Sequence, residues 1–552
     1  MSTNKLSVVR YRYKTVHVLN EILRDDLNSS DDGSDFEFTS SDLECDNQTA
    51  TFPPEAACKT PDVCEEHDQL NDSDHDCEDN GRSAENLPAD DHGIIDVADN
   101  VDNDGVPNDD DCSDVMMSRC GSVTWKRQCP PVSRYSNQNI LTEDRVVPDD
   151  VKFESIADSF KIFIDEEMVR HILNCTNLHA NEIKTTSSRF RWNTLSPEEF
   201  YAFLGLAILA GVQKARNQML NELWDEQWGY PIFRATMSFG RFTDIMRALR
   251  FDDKSTRNQR IADTGNQGAA VQEIFDMFRD KCKSSYRCGP SVTIDEQLIP
   301  FHGNCRFRMF IPSKPGKYGL KVWIMADSDT FYCADAQLYA GKVGNQTDVG
   351  QGTRVVLQLS ESIAGSGRNV TTDNFFTNYK LARELQERKL SIVGTVRGNR
   401  REIPKEMLPS AGREVYSSIF GFSDDTTLVS YVPKARKAVI LMSTQHKNDK
   451  VSTEDHRKPE IIEYYNATKS GVDILDKLVR SYSCKRATAR WTVAFFLNMI
   501  DISAYNALVL WITRNEQWNE GKSSSRREFL RELGLQLVRG HACQRVQQPL
   551  GK

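Results

Sequence analysis

Apolar positions change their period along this chain, and the changes divide it. Between residues 196 and 250 they recur at helical spacing. Ser196-Pro197-Glu198-Glu199 sets a Ser cap, a Pro in the first turn and a Glu three residues after the cap, which predicts a helix start. Phe200, Phe203, Leu204, Ala207 and Ile208 then follow on one face until Gly211. A second amphipathic helix is predicted from Ser238, with Phe242, Ile245, Met246 and Leu249 on one face. Val493 to Ile512 is long enough to span a bilayer but carries Asn498, Asp501 and Asn506 near its middle. A central carboxylate costs roughly 2.5 to 3.5 kcal/mol there, so this run reads as a helix buried in a soluble core and no membrane partner is expected.

From Ser291 strand patterns take over. Val292 to Ile299, Lys321 to Ala326 and Phe331 to Leu338 read as three successive strands, the last two joined by a DSDT turn. A helix (Thr353 to Ile363), a strand (Asn369 to Thr372), a helix (Tyr379 to Lys389) and a strand (Ser391 to Val396) follow. An irregular stretch to about Pro459 precedes a helix around Asp473. The order βββαβαβ, insertion, α is the topology of a ribonuclease H-like domain. The expected fold class is therefore α/β, with such a domain beside an all-helical one.

Composition changes the picture at the N-terminal end. The chain of 552 residues has room for three or four domains and a net charge of -11. Residues 21–114 hold 31 Asp and Glu against Arg24, Lys59 and Arg82, a net of -28, so the rest carries +17. That tract has only Phe36, Phe38 and Phe52 as aromatics and cannot bury enough apolar surface to offset its ordering entropy, so residues 1–148 are expected to be mostly disordered, with order resuming between Val147 and Phe160. The basic remainder suits a polyanionic partner. Fourteen cysteines without a C-x-x-C pair, and a start without an apolar run of signal-peptide length, predict free thiols in a reducing compartment.

Four carboxylates stand out within the predicted scaffold. Asp295 interrupts the apolar strand TIDEQLIPF, and Asp373 closes the strand in NVTTDNFF. Asp473 and Asp476 in GVDILDKL are three apart and share one helix face. Each has an ordinary alternative, a turn or cap residue at a strand end or a solvated acidic face. If the helix packs on the sheet they converge, and converging carboxylates call for hard divalent cations with oxygen ligands, Mg²⁺ or Mn²⁺. Two such ions would serve both oxygens of an in-line phosphoryl displacement.

The stretches TIDEQLIPFHG, RFRMFIPSKPGKYGLKVW, TTDNFFTN, VGTVRGNRREIP, EYYNATKSGVDILDK and RATARW resemble those of piggyBac-family transposases, in the same order and at similar separations. FYAFLGLAILAGVQK and RFTDIMRALRFDDKS resemble that family too, so the similarity runs from about residue 150 to about 540. The resemblance implies a ribonuclease H-like fold and cut-and-paste transposition of double-stranded DNA at TTAA sites by a nuclear homodimer. No small-molecule substrate is implied. Motif by motif it carries the catalytic, metal-holding aspartates onto Asp295, Asp373 and Asp473, and a further required aspartate onto Asp476. It also implies a helical dimerisation and DNA-binding domain in two parts, 149–288 and 480–540. The catalytic domain would comprise 289–396 and 458–479, with an insertion domain at 397–457.

Lys314, Lys317 and Lys321, Arg397, Arg400 and Arg401, and Lys485, Arg486 and Arg490 lie beside those motif aspartates in sequence. They read either as phosphate contacts or as solvated charges. Trp491 reads as a core anchor or a DNA contact. The family's terminal zinc module has no counterpart in the tail 541–552, where only His541 and Cys543 could be ligands, so no structural zinc is expected. That departure leaves a rival reading, a non-catalytic, domesticated DNA- or chromatin-binding protein on a transposase scaffold. Asn100, Asp102, Asp104, Gly105 and Asp111 fit a calcium loop in part, but Pro107 and the absent flanking helices make it a chance match in an Asp-rich tract.

Overall fold

The computed structural model describes residues 94–96, 114–131, 140–187, 190–312, 314–341, 350–519, 522 and 524–547. Among the described residues three short strands come first: β1 (Ile94–Asp96), β2 (Val115–Met117) and β3 (Thr124–Lys126). Seven helices follow: α1 (Ile156–Lys161), α2 (Glu166–Thr186), α3 (Pro197–Val212), α4 (Pro231–Thr236), α5 (Phe239–Ala248), α6 (Lys254–Thr264) and α7 (Ala269–Ser285). Then come β4 (Ser291–Pro300), β5 (Met309–Phe310), β6 (Tyr318–Asp327), β7 (Cys333–Leu338), α8 (Gln351–Leu359), β8 (Asn369–Thr372), α9 (Tyr379–Glu387) and β9 (Ser391–Thr395). The chain continues through β10 (Ser418–Ser423), β11 (Thr426–Lys434), β12 (Lys437–Ser443), α10 (Glu460–Thr468), α11 (Gly471–Ser481), α12 (Trp491–Arg514) and α13 (Ser525–Gln547).

The fold is mixed α/β. β4 and β6 are antiparallel, β6 and β7 are antiparallel, and β8 and β9 run parallel to β4, giving the order β7-β6-β4-β8-β9. With its helices this sheet is consistent with a ribonuclease H-like core. β4 is buried along almost its whole length on both faces, as expected for a central strand covered by helices.

Helices from both flanks of the sheet pack on one another. A Cβ on Gly205 in α3 would stand 2.8 Å from the Gly534 carbonyl of α13, so the two backbones meet where both residues lack a side chain. Phe251 meets Phe496 of α12 at 4.7 Å and Phe275 meets Phe495 edge-on at 5.0 Å. α12 is long and apolar enough to cross a bilayer, but it is mostly buried here. Its central polar residues are bonded within the fold: Asn498 donates to Gln297 (2.9 Å), Asp501 accepts from Ser483 Oγ (2.6 Å), and Asn506 exchanges two 2.9 Å bonds with Cys333.

Several sequence readings need correction. The stretch read as irregular contains β10, β11 and β12, an antiparallel meander that pairs with β9 and extends the sheet. Its two turns place Asp424 (φ 48°) and Arg436 (φ 64°) in the left-handed region without a glycine, so the usual hairpin signal is missing. Order begins before Val147: the β2–β3 hairpin pairs with β10, Lys126 opposite Phe422. Inside the acidic tract β1 pairs with β12, Ile94 opposite Val439, at an adjacent pair of β-branched isoleucines. The rest of that tract, 21–93 and 97–113, and with it the calcium-like loop, lies outside the described residues. Residues 541–547 are the end of α13 rather than a tail. Ser196 caps α3 as read, accepting from the Glu199 N–H at 3.2 Å, but the Glu199 carboxylate turns to Arg241 instead of back to the cap.

Gly471 sets how closely α11 approaches β4, since a Cβ there would lie 2.5 Å from Thr293 Oγ1. Gly471→Ala should therefore lower stability by about 1–3 kcal/mol in denaturant titrations. Gly240→Ala, at a helical position with nothing within 4 Å of the new Cβ, should be neutral or stabilising by up to about 1 kcal/mol.

Candidate active site

Three elements bring the acidic residues together. Asp295 sits in the middle of β4, opposite Ile324 of β6. The parallel register sets Thr372 beside Ile294, so Asp373, the next residue, leaves the sheet next to Asp295. α11 is fastened across β4 at two levels. Thr293 Oγ1 donates to the Thr468 carbonyl at 2.6 Å just before the helix, and Gln297 Nε2 donates to Asp476 Oδ1 at 3.0 Å further along. Thr293, Asp295 and Gln297 share one strand face, so Asp473 falls between the two attachments and faces the level of Asp295.

The electrostatics follow from that convergence. Burial, followed by the neighbouring charges of Asp473 and Asp373, raises the Asp295 carboxyl from the usual 3.8 to about 7, although Lys314 pulls the other way. Lys314 Nζ lies 3.3 Å from Asp473 Oδ1 and 3.7 Å from Glu296 Oε1. Burial works against the Lys314 charge, but Asp295, Asp473, Glu296 and Asp476 outweigh it and hold the ammonium protonated well above its ordinary range. Asp476 is also raised, by burial, with Arg480 (2.6 Å) and Gln297 opposing. Both its oxygens are engaged, one by Gln297 and one by Arg480.

Among the described residues no three His, Cys, Asp or Glu side chains are gathered closely enough to enclose a metal ion. The donor chemistry nevertheless fits one. Asp295, Asp373 and Asp473 offer only oxygen, and burial together with the neighbouring acidic charges raises the Asp295 carboxyl to about 7 despite Lys314, so a hard divalent cation bound there would displace its proton.

The basic residues divide into groups. Lys314 and Lys321 belong to the acidic site, Lys321 Nζ lying 3.8 Å from Glu296. Lys317 is exposed at φ 49° in the turn before β6. Arg397 Nε donates to Asn374 Oδ1 at 3.0 Å, and Arg401 is exposed. Lys485, Arg486 and Arg490, read as phosphate contacts or solvated charges, donate to carbonyls inside the fold. Lys485 donates to Pro300 and Arg486 to Ala215. Arg490 donates to Met246 (3.2 Å), Arg247 (2.9 Å) and Leu249, closing the end of α5. Trp491 packs edge-on against Phe307 at 5.0 Å, as an anchor.

Sequence reading missed Glu296, only 4% exposed and held between Lys314 and Lys321, and the Asn498–Gln297–Asp476–Arg480 chain behind the site. The strand pairing of Glu296 with Trp323 places it diagonally from Lys321, a relation visible only once the β4–β6 register is known.

The chain matches the family model described as Transposase IS4 over residues 157–508. It is 24% identical over 377 residues to human PiggyBac transposable element-derived protein 3, covering 65% of this chain and 61% of that protein. The same identity holds over 377 residues of the human Chimeric ERCC6-PGBD3 protein, of which 34% is covered. The chain thus spans about three fifths of the first relative's length and a third of the second's. Among solved structures it resembles the piggyBac transposase synaptic complex with hairpin DNA, with a TM-score of 0.69 and 36% identity over 74% of this chain and 86% of that one.

Because folding raises the Asp295 pKa, the folded state binds the proton more tightly, and stability is lost as pH rises from about 4 through about 7. Asp295→Asn, which mimics the protonated carboxyl, should leave stability near wild type at pH 4. In divalent-free buffer at pH 8 it should raise stability by ~1–3 kcal/mol, as thermal or urea unfolding would measure.

Proposed function

The chain belongs to the IS4 transposase family, among its piggyBac-type members, and on that premise we propose that it cleaves DNA strands and transfers them to a DNA target in a divalent-metal-dependent reaction. The observation that carries this reading is the convergence of Asp295, Asp373 and Asp473 from the middle of β4, the end of β8 and the start of α11. Held by these three, a divalent cation would polarise the scissile phosphate and lower the pKa of an attacking water.

The chain's own residues do the rest. Asp476 ties α11 to β4 through Gln297, while Arg480 of the same helix engages its other oxygen. Lys314 supplies the counter-charge that lets the carboxylates share one pocket. Lys317, Arg397, Arg400 and Arg401 contact backbone phosphates of the bound duplex.

The likeness to a DNA-bound synaptic complex supports action on DNA, and on this reading the reaction is cut-and-paste transposition at TTAA sites by a homodimer working in the nucleus. On this reading residues 149–288 and 480–540 form the dimerisation and DNA-binding part and 397–457 the insertion domain. The helix contacts between the two flanks support the first assignment.

Incubating the protein with Mg²⁺ and DNA carrying TTAA-flanked element ends should yield nicked and hairpinned products. Asp295→Asn, Asp373→Asn and Asp473→Asn should each reduce nicking by at least about 10²-fold while duplex binding persists. Cutting by Asp373→Asn at the wild-type rate would contradict the assignment. Binding without any cutting by the wild type would favour the non-catalytic, domesticated DNA-binding role.

A further inference from the structure

The β2–β3 hairpin contributes no residue to the acidic site, yet it closes around the loop that follows β9. Arg119, in the hairpin turn, donates from Nε to the Ile403 carbonyl at 3.0 Å and from Nη2 to those of Arg400 (2.5 Å) and Gly398. The Cys120 N–H donates to the Arg401 carbonyl at 3.0 Å, and Trp125 Nε1 to that of Glu402 at 3.1 Å. Five carbonyls between Gly398 and Ile403 are thus held by one short hairpin. A forked guanidinium is suited to gather several carbonyls in this way.

The hairpin itself is firmly seated. Met116 and Trp125 are fully buried, and the Trp125 ring meets Tyr379, at the start of α9, edge-on at 5.8 Å. The held loop in turn touches the site: Arg397 bonds Asn374, the residue after Asp373. Arg400 is only partly exposed, so its guanidinium stands at the surface of the held loop rather than free in solvent. Drawing the loop's carbonyls toward Arg119 holds the backbone from which Arg397, Arg400 and Arg401 extend, and pre-organisation of this kind reduces the ordering cost of binding.

We propose that Arg119 and Trp125 are positioning residues, and that the hairpin pre-forms the Arg397–Arg401 loop as a clamp for the backbone phosphates of a DNA strand entering beside Asp373. The inference rests on the reading of the chain as a DNA-acting transposase and assigns to residues 115–126 a part in how that site holds its substrate.

The test is the salt dependence of duplex affinity, whose logarithmic slope reports about 0.9 per phosphate contact. Wild type, Arg119→Ala, Arg119→Lys and Trp125→Phe are titrated with a short duplex between low and physiological salt, after melting curves establish that each is folded. Arg119→Ala should flatten the slope by roughly 1–2 and weaken binding at least about tenfold at low salt. Arg119→Lys should not restore it, because a point ammonium cannot fork to three carbonyls. Trp125→Phe, which keeps the packing and loses one donor, should give a smaller change in the same direction and carries the test if Arg119→Ala does not fold. In a background of Arg397→Gln, Arg400→Gln and Arg401→Gln, Arg119→Ala should have no further effect on the slope. An unchanged slope in folded Arg119→Ala, or an equal added loss in the triple background, would overturn the inference alone. A wild type with no salt-dependent duplex affinity would overturn the DNA-acting reading and this inference with it.

Discussion

Carboxylates that share a poorly solvated pocket repel one another and resist desolvation, and everything around β4 in this protein is arranged against those two costs. Asp295 meets them by holding a proton up to about pH 7. Asp473, nearly half-exposed, is drawn to the Lys314 ammonium at 3.3 Å, and the largely buried Asp476 is balanced by Arg480 at 2.6 Å. Breaking such a pair by removing one partner leaves an uncompensated charge, so the arrangement couples the loop carrying Lys314 to the helix carrying Asp473. A molecule built for stability alone would do better with apolar side chains here. Acidic groups at the centre of the sheet are what make it a candidate site.

The remainder of the fold brings rigid walls to that pocket. The parallel β4–β8 register delivers Asp373, while Gly471 and the Thr293–Thr468 bond bring α11 close enough for Asp473 to join it. α12 lies behind, and its Asn498 bonds Gln297, which bonds Asp476, so the helical part is tied to the site through polar side chains as well as through aromatic packing. On the other side the sheet runs on through β12, β11 and β10 to the β2–β3 hairpin. The sheet that carries the carboxylates therefore also carries the arginine-rich loop beside them.

The elements around the site were legible because their patterns are local. Asn369–Thr372 and the strands on either side of it read directly from β-branched runs, and the Ser196 cap with Pro197 marked α3. Asp295 could be singled out as a carboxylate inside an apolar strand, whereas Asp373, Asp473 and Asp476 each had an ordinary reading as a strand-end or solvated acid and were joined to it through the family resemblance. What stayed hidden depended on pairing. Glu296 becomes a partner of Lys321 only through the β4–β6 register, and β10 to β12 lacked the glycine turns that announce hairpins, Asp424 and Arg436 taking the left-handed positions instead. Arg490 could be read only as a phosphate contact or a solvated charge, because sequence shows its charge and not the three carbonyls of α5's end that it closes. The β2–β3 hairpin, just past the acidic tract, has strands of only three residues each and so offers too short a pattern to read.

The claim on which all of this turns is that the pocket of Asp295, Asp373 and Asp473 receives a divalent cation in place of the proton on Asp295. Calorimetric titration with Mn²⁺ in pairs of buffers of different ionisation enthalpy measures both binding and the protons released with it. The account predicts saturable binding with close to one proton released at pH 6, where Asp295 is protonated, falling toward none at pH 8.5, and loss of that release in Asp295→Asn. Absence of saturable binding, or a proton release that is the same at both pH values and unaffected by Asp295→Asn, would contradict it.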